Sequence, residues 1–294
     1  MPRIVDRDHS RPVARKRFGQ HFLEPVWADK VVAAIKPGPD DTFIEIGPGP
    51  GAITRPLTAR ARQVLAFEID RDLAARLRAA APANLHLVEG DFLNVTPESC
   101  REALATLSGP VTSLRVAGNL PYNVASPILF KLVELFDGGL PLTDAAVMLQ
   151  REVANRLLAA PGTKDYGVLT ILIGHHCDVG RLLQLPAGAF RPAPKVQSTV
   201  VRLCFRPPVP PVQRPALFAG LVQAVFSRRR KTLANAMLAY PPAAAAGPDD
   251  VLRRVGIDGQ RRPETLSIAE MAGLADGLSQ LLPITSGTPD RAVL

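Results

Sequence analysis

From Thr42 onward, short apolar runs alternate with stretches of helical spacing. Thr42–Ile46, Val64–Ile69, Leu85–Glu89, Leu114–Ala117 and Ala145–Leu149 are brief and bounded by turn residues, as strands are. Between them, Asp72–Ala81 and Ile128–Phe136 place apolar residues at the three- and four-residue intervals of an amphipathic helix. This alternation predicts βα units and a mostly parallel, doubly wound α/β sheet. Leu182–Leu185 and Ser198–Phe205 are two further β-rich runs, expected to pair as an antiparallel hairpin at the sheet edge.

The segment Arg206-Pro207-Pro208-Val209-Pro210-Pro211 can continue neither strand nor helix, so a domain boundary is expected there. Beyond it the pattern turns helical. Phe218–Leu238 reads as a long amphipathic stretch, Asp250–Val255 as a short helix, and Ser267 with Glu270 as a capping box opening a helix that runs to about Leu282. The expected organisation is a mobile basic arm over 1–17, a first domain over 18–205, a linker over 206–215, a helical domain over 216–284 and a tail over 285–294.

Composition narrows the class. A chain of 294 residues, 47% of them hydrophobic, can bury one full-sized core and a smaller one. Its 35 Lys and Arg against 27 Asp and Glu give a net charge of +8, which favours a polyanionic partner, either nucleic acid or an anionic membrane. No apolar run approaches the roughly 18–20 residues of a spanning helix, and the start, with Arg3, Asp6, Arg7 and Asp8, lacks a signal-peptide core. A soluble, cytoplasmic protein is expected. Cys100, Cys177 and Cys204 are scattered and form no CxxC pair, so neither a disulfide framework nor a zinc site is expected.

The first concentration of chemistry is Glu45-Ile46-Gly47-Pro48-Gly49-Pro50-Gly51, a strand running into a glycine loop with Ala52–Ala59 as the following helix. Glycines let the backbone turn sharply and approach a ligand. The loop is GxGxG, without the GxGxxG of a nicotinamide site or the GK[ST] of a triphosphate loop. Glu68 follows Gly47 by about twenty residues, at the end of the second strand, where a carboxylate can accept both hydroxyls of a ribose. Asp91-Phe92 closes the third strand and can hold an adenine, the acid accepting from its amine and the ring packing on its face.

Asn119-Leu120-Pro121-Tyr122, at the end of the fourth strand, has the form found in enzymes that methylate exocyclic amines of nucleobases. The lone pair of such an amine is delocalised into the ring. The Asn119 side-chain oxygen and the Leu120 carbonyl can accept its two N–H bonds and favour the more tetrahedral nitrogen of the transition state. Pro121 stiffens the turn that aims the Leu120 carbonyl, and Tyr122 can stack on a flipped adenine.

These motifs occur in one order with Arg17-Phe18-Gly19-Gln20-His21-Phe22-Leu23 and Phe190-Arg191-Pro192-Ala193-Pro194-Lys195-Val196. Together they closely resemble the bacterial small-subunit ribosomal RNA adenine dimethyltransferases (KsgA type), from about Arg15 to about Leu282 and including Arg229-Arg230-Lys231-Thr232. The resemblance implies a Rossmann-like class I methyltransferase with a seven-stranded sheet, a small helical C-terminal domain and S-adenosylmethionine as donor. It implies that His21, Leu23, Gly47, Glu68, Asp91 and Asn119 bind the cofactor, and that Phe190 sandwiches the target base against Tyr122. The implied substrate is a pair of adjacent adenosines in the 3′-terminal hairpin of small-subunit RNA. A monomer acting on the immature subunit without a membrane is expected, and no metal, since the donor's sulfonium is already activated. Two departures stand out: His21 where many bacterial members have Asn, and Pro50 where Leu is commoner.

Arg228, Arg229, Arg230 and Lys231 put four positive charges in a row on a predicted helix, an expected grip on RNA phosphates. Arg253-Arg254 and Arg261-Arg262 are candidates to extend it. Two other readings stay open. An Erm-type large-subunit methyltransferase is disfavoured by the Phe190–Val196 and Arg229–Thr232 segments. A non-catalytic RNA-binding assembly or transcription factor on the same fold is disfavoured by the intact Asn119–Tyr122 motif and acidic cofactor residues.

Overall fold

In the computed structural model the described residues are 20–282. The expected basic arm over 1–17, the tail over 285–294 and the Arg17–Gly19 part of the first motif lie outside them. In chain order the elements are β1 (Phe22–Leu23), α1 (Pro25–Ile35), β2 (Thr42–Ile46), α2 (Thr54–Thr58), β3 (Gln63–Glu68), α3 (Arg71–Ala79), β4 (Leu85–Glu89), α4 (Pro97–Ala105), β5 (Leu114–Asn119), α5 (Ala125–Asp137), β6 (Leu142–Gln150), α6 (Arg151–Leu157) and α7 (Val168–Gly174). There follow β7 (Cys177–Leu185), β8 (Phe190–Arg191), β9 (Ser198–Phe205), α8 (Pro215–Ser227), α9 (Leu233–Met237), α10 (Pro241–Ala246), α11 (Pro248–Val255) and α12 (Ile268–Ser279).

Seven strands form one sheet in the order β4-β3-β2-β5-β6-β9-β7. The pairs from β4 through β6 are parallel, as the βα alternation requires. All five residues of β2 are buried, which is why the strand is apolar at both faces apart from Thr42 at its start and Glu45. After β2 the chain adds β3 and β4 on one side, then returns to place β5 on the other. That reversal opens a crevice at the carboxyl ends of β2 and β5, where open α/β sheets bind ligands. Gly118 makes the approach of these strands possible: a Cβ there would lie 2.8 Å from the Ile46 carbonyl oxygen.

The opposite end of the sheet is clamped by charge. Arg115, at the start of β5, meets Asp144 of β6 and Asp41, each at 2.7 Å. It also donates to the Ile35 carbonyl at 2.9 Å and the Lys36 carbonyl at 3.1 Å, covering exposed acceptors at the C-terminus of α1. Arg202 of β9 pairs with the same Asp144 at 3.1 Å and donates to Ile35 O at 2.8 Å. One helix end and three strands thus share a largely buried ion network.

The chain makes two compact units that interleave along the sequence. The first runs to Ile128 and also takes Gly139–Arg151 and Leu182–Arg202; the second takes Leu129–Gly138, Glu152–Arg181 and the chain from Leu203. The division is therefore not a single cut at the proline run. The reason is packing: Tyr166, Ile171 and Leu172 are buried in the same apolar cluster as Phe218, Leu221 and Leu274. The Tyr166 hydroxyl donates to Leu266 O at 2.8 Å. α12 opens with the expected box, Ser267 N–H donating to Glu270 Oε2 at 2.7 Å and Glu270 N–H to Ser267 Oγ at 3.2 Å.

The long helix expected over Phe218–Leu238 is two. α8 stops at Ser227 and α9 starts at Leu233, so Arg228–Lys231 form a turn, not a helix face. The break is tertiary in origin: Leu233 N–H donates to Arg261 O at 2.6 Å and Ala234 N–H to Gly259 O at 3.1 Å, removing donors that a continuous helix would give to residues four positions back. Among the described residues no helix is long and apolar enough to cross a membrane.

Arg115→Ala is expected to lower stability by about 2 kcal/mol, because it removes charge-assisted hydrogen bonds from Asp144, which keeps only Arg202, and uncovers the Lys36 carbonyl at the helix end. Urea unfolding measures it; an unchanged midpoint would show that the network contributes nothing.

Candidate active site

The adjacent carboxyl ends of β4, β3, β2 and β5 deliver four of the singled-out residues in spatial order: Asp91, Glu68, Gly47 and Asn119. They border one cavity of about 340 Å³, the size of a small-molecule site. Its wall also includes His21, Leu23, Leu120, Pro121 and Tyr122. Every sequence-assigned cofactor residue is therefore on this wall.

Gly47 and Gly49 sit at φ 64° and 58°, in the left-handed region that favours glycine. Gly47 N–H donates to Phe67 O at 2.9 Å, which joins the loop to β3. Glu68 is buried, its Oε2 accepting from Gly49 N–H and its Oε1 from Asp70 N–H, both at 2.8 Å. Burial pushes its carboxyl up, against the pull of those two N–H groups. Each oxygen keeps a second lone-pair site for a ribose hydroxyl. Asp91 Oδ1 accepts from Leu93 N–H at 3.0 Å and starts the turn Phe92–Asn94, while the Phe92 ring meets Phe67 edge-on at 5.4 Å.

The Asn119 amide nitrogen donates to the His21 carbonyl at 2.7 Å. Only the NH₂ end can make that bond, so it fixes the amide flip and leaves Oδ1 as the acceptor for an incoming amine. The His21 ring stacks on Tyr122 with centroids 5.2 Å apart. Its Nδ1–H donates to Pro192 O at 2.7 Å, since a carbonyl can only accept. The Tyr122 hydroxyl shares a 2.7 Å hydrogen bond with Ser198 Oγ, and burial raises its pKa above the ordinary phenol value.

Phe190 lies apart from the other singled-out residues. Antiparallel pairing of β1 with β8 sets it opposite Leu23, and its side chain is fully buried in the cluster that includes Val31, Ile35 and Phe43. It does not border the cavity. Three contributors carried no sequence assignment: Ser198, the His21 backbone carbonyl and Glu45. Glu45 is 1% exposed on β2 and borders the cavity, and its Oε2 has no hydrogen-bond partner among the described residues. Burial pushes its carboxyl up to about 8, opposed by the neighbouring Thr54 hydroxyl and reinforced by Glu68. The only sequence signal was its place before the glycine loop.

Residues 12–275 match the family model of ribosomal RNA adenine dimethylase. This chain belongs to that family. The ribosomal RNA small subunit methyltransferase A of Aromatoleum aromaticum is 42% identical over 276 residues, covering 92% of this chain and 96% of that protein. Among solved structures, a dimethyladenosine transferase from Plasmodium falciparum is similar with a TM-score of 0.69 at 25% identity, covering 89% of this chain and 98% of that one. The 23S rRNA methyltransferase ErmE is similar with a TM-score of 0.61, also at 25% identity, over 88% of this chain and all of that one.

The dimethylase cavity fits the S-adenosylmethionine of such enzymes. Glu68 can take the ribose hydroxyls, Asp91 the adenine amine, and the open loop at Gly47, where nothing lies within 4 Å of an added Cβ, leaves room beside the backbone. The unpartnered Glu45 oxygen suits a cationic ligand. Among the described residues no group of three His, Cys, Asp or Glu is placed to hold a metal ion.

Asn119→Ala is expected to cut methyl transfer about 10²–10³-fold with the fold intact, by deleting an acceptor on the reacting nitrogen; near-normal turnover of the folded variant would remove Asn119 from the chemistry. Glu68→Ala is expected to weaken S-adenosylmethionine binding about tenfold or more while sparing RNA affinity. Calorimetry and RNA titration separate the two, and equal weakening of both ligands would mean a damaged fold.

Proposed function

We propose that this protein transfers methyl groups from S-adenosylmethionine to N6 of two adjacent adenosines in the 3′-terminal hairpin loop of small-subunit ribosomal RNA, giving N6,N6-dimethyladenosine. The observation that carries this reading is the Asn119 amide, held by His21 O at 2.7 Å so that Oδ1 is left for an amine beside the Tyr122 ring. When bound, the donor supplies a methyl group already activated on a sulfonium, so no metal has to ionise a nucleophile. The chain's own task is to draw the N6 lone pair out of the adenine ring. Asn119 Oδ1 and the Leu120 carbonyl do so by accepting the two N–H bonds more strongly as the nitrogen becomes tetrahedral. Tyr122 holds the base plane, a stacking contact of roughly 1–3 kcal/mol, and its hydroxyl on Ser198 fixes the ring.

The small-subunit substrate is preferred to large-subunit RNA because the 42%-identical relative is named for the small subunit, whereas the large-subunit enzyme ErmE is 25% identical. The reading extends to a monomer acting in the cytoplasm on immature small subunits. Arg228, Arg230 and Lys231 are exposed, with no carboxylate partner among the described residues, and are free for phosphates. Arg229 already gives one N–H to Lys164 O at 2.9 Å. The suggested extensions are largely committed within the protein: Arg253 to Asp250, Arg254 to Gln280 and Arg261 to Glu270.

Purified protein with S-adenosylmethionine is expected to dimethylate small subunits that lack the modification and to leave large subunits untouched; methylation confined to large-subunit RNA would overturn the reading. Replacing Arg228, Arg229, Arg230 and Lys231 by Gln should weaken subunit binding without changing cofactor affinity. The salt slope should fall by about one unit, or slightly less, for every phosphate no longer neutralised. An unchanged affinity and slope would place the RNA surface elsewhere.

A further inference from the structure

Two of the carboxyl groups that border the cavity, Glu68 and Glu45, are prepared for charge to different degrees. Glu68 accepts two backbone N–H groups at 2.8 Å. Glu45, on the neighbouring strand, is 1% exposed, and its Oε2 has no donor among the described residues. Ionising an acid in such a place is costly, because no N–H replaces the lost water. The charged group beside it is Glu68 on β3, whose like charge adds to the cost; Thr54 on α2 offers only a hydroxyl. His21, Asp91 and Tyr122 border the same cavity and bring no fixed positive charge to balance a second anion. The ligand assigned to this cavity, by contrast, carries a sulfonium and an ammonium group.

We propose that Glu45 senses the charge of the methyl donor, remaining a neutral acid in the free protein and releasing its proton to water when the cationic donor binds. The O–H bond of the carboxyl breaks, the electron pair stays on the carboxylate, and the donor's positive charge replaces the proton as its partner. After transfer the sulfonium has become a neutral thioether, so less charge remains to hold Glu45 ionised. The carboxyl then recovers its proton, and the by-product is held less tightly than the donor. The inference rests on reading this cavity as the S-adenosylmethionine site.

Calorimetry of the full chain with S-adenosylmethionine, in phosphate and in Tris, counts the protons released. The donor's own amine titrates in the same range, so Glu45→Gln supplies the baseline. At pH 7 the parent is expected to release more protons than the variant, an excess that shrinks as the pH rises past about 8, and S-adenosylhomocysteine should release fewer. The free protein gives a second readout. An acid whose folded pKa lies above its unfolded value costs stability progressively as pH rises from about 4.5 to about 8, so Glu45→Gln should raise Tm at pH 8 and leave it unchanged at pH 4. If donor binds both proteins with equal proton release, the proposal is overturned and the cofactor site stands. A parent that binds donor without excess proton release overturns it even if the variant does not fold. If S-adenosylmethionine binds neither folded protein, the cavity's assignment falls as well.

Discussion

A single hydrogen bond, from the Asn119 amide nitrogen to the His21 carbonyl, decides which end of that amide faces the cavity. Reversed, the side chain would offer donors to a substrate amine that is itself a donor, and the site could not polarise it. The bond joins the segment before β1 to the end of β5, so it holds only while both stay in place. β1 is kept there by its pairing with β8, and the end of β5 by parallel pairing with β2 and β6. At the far end of the same strands, Arg115 ties β5 to β6 and to the C-terminus of α1. Strand register thus becomes chemistry, since shifting β5 by one residue would turn Asn119 to the other face.

The acids of the cavity show how one fold can prepare carboxyl groups differently. Two backbone donors let Glu68 bear charge, suited to accepting hydrogen bonds from ribose hydroxyls. On the next strand, Glu45 lacks a donor for one oxygen. Its ionisation is left to a ligand that brings positive charge. Both lie in the crevice made where the strand order reverses between β2 and β5, and Gly118 is the small residue that lets those strands meet.

Local signals in the sequence translated well. β2 and β4 have the expected bounds, and the Ser267–Glu270 box caps α12 because its partners are three residues apart. The motif residues Asp91, Glu68, Gly47 and Asn119 converge because each ends or follows a parallel strand that a short apolar run reveals. What escaped depends on tertiary packing. β1 and β8 are two residues each, too short to show a period. Their pairing turns Phe190 into the core and brings His21 to Asn119. Glu45 is visible as a letter of the loop motif, but its missing hydrogen-bond donor emerges only when β2 is covered on both faces. The Arg228–Lys231 turn breaks an otherwise helical pattern because residues 259–261 claim the donors of Leu233 and Ala234.

The most direct test of the central claim, that the Asn119–Tyr122 site dimethylates adenine in small-subunit RNA, is mass mapping of the 3′-terminal hairpin from cells lacking this protein. Both adenosines should be unmodified in those cells and dimethylated again once the protein is restored. Persistence of the two N6,N6-dimethyladenosines in its absence would contradict the account.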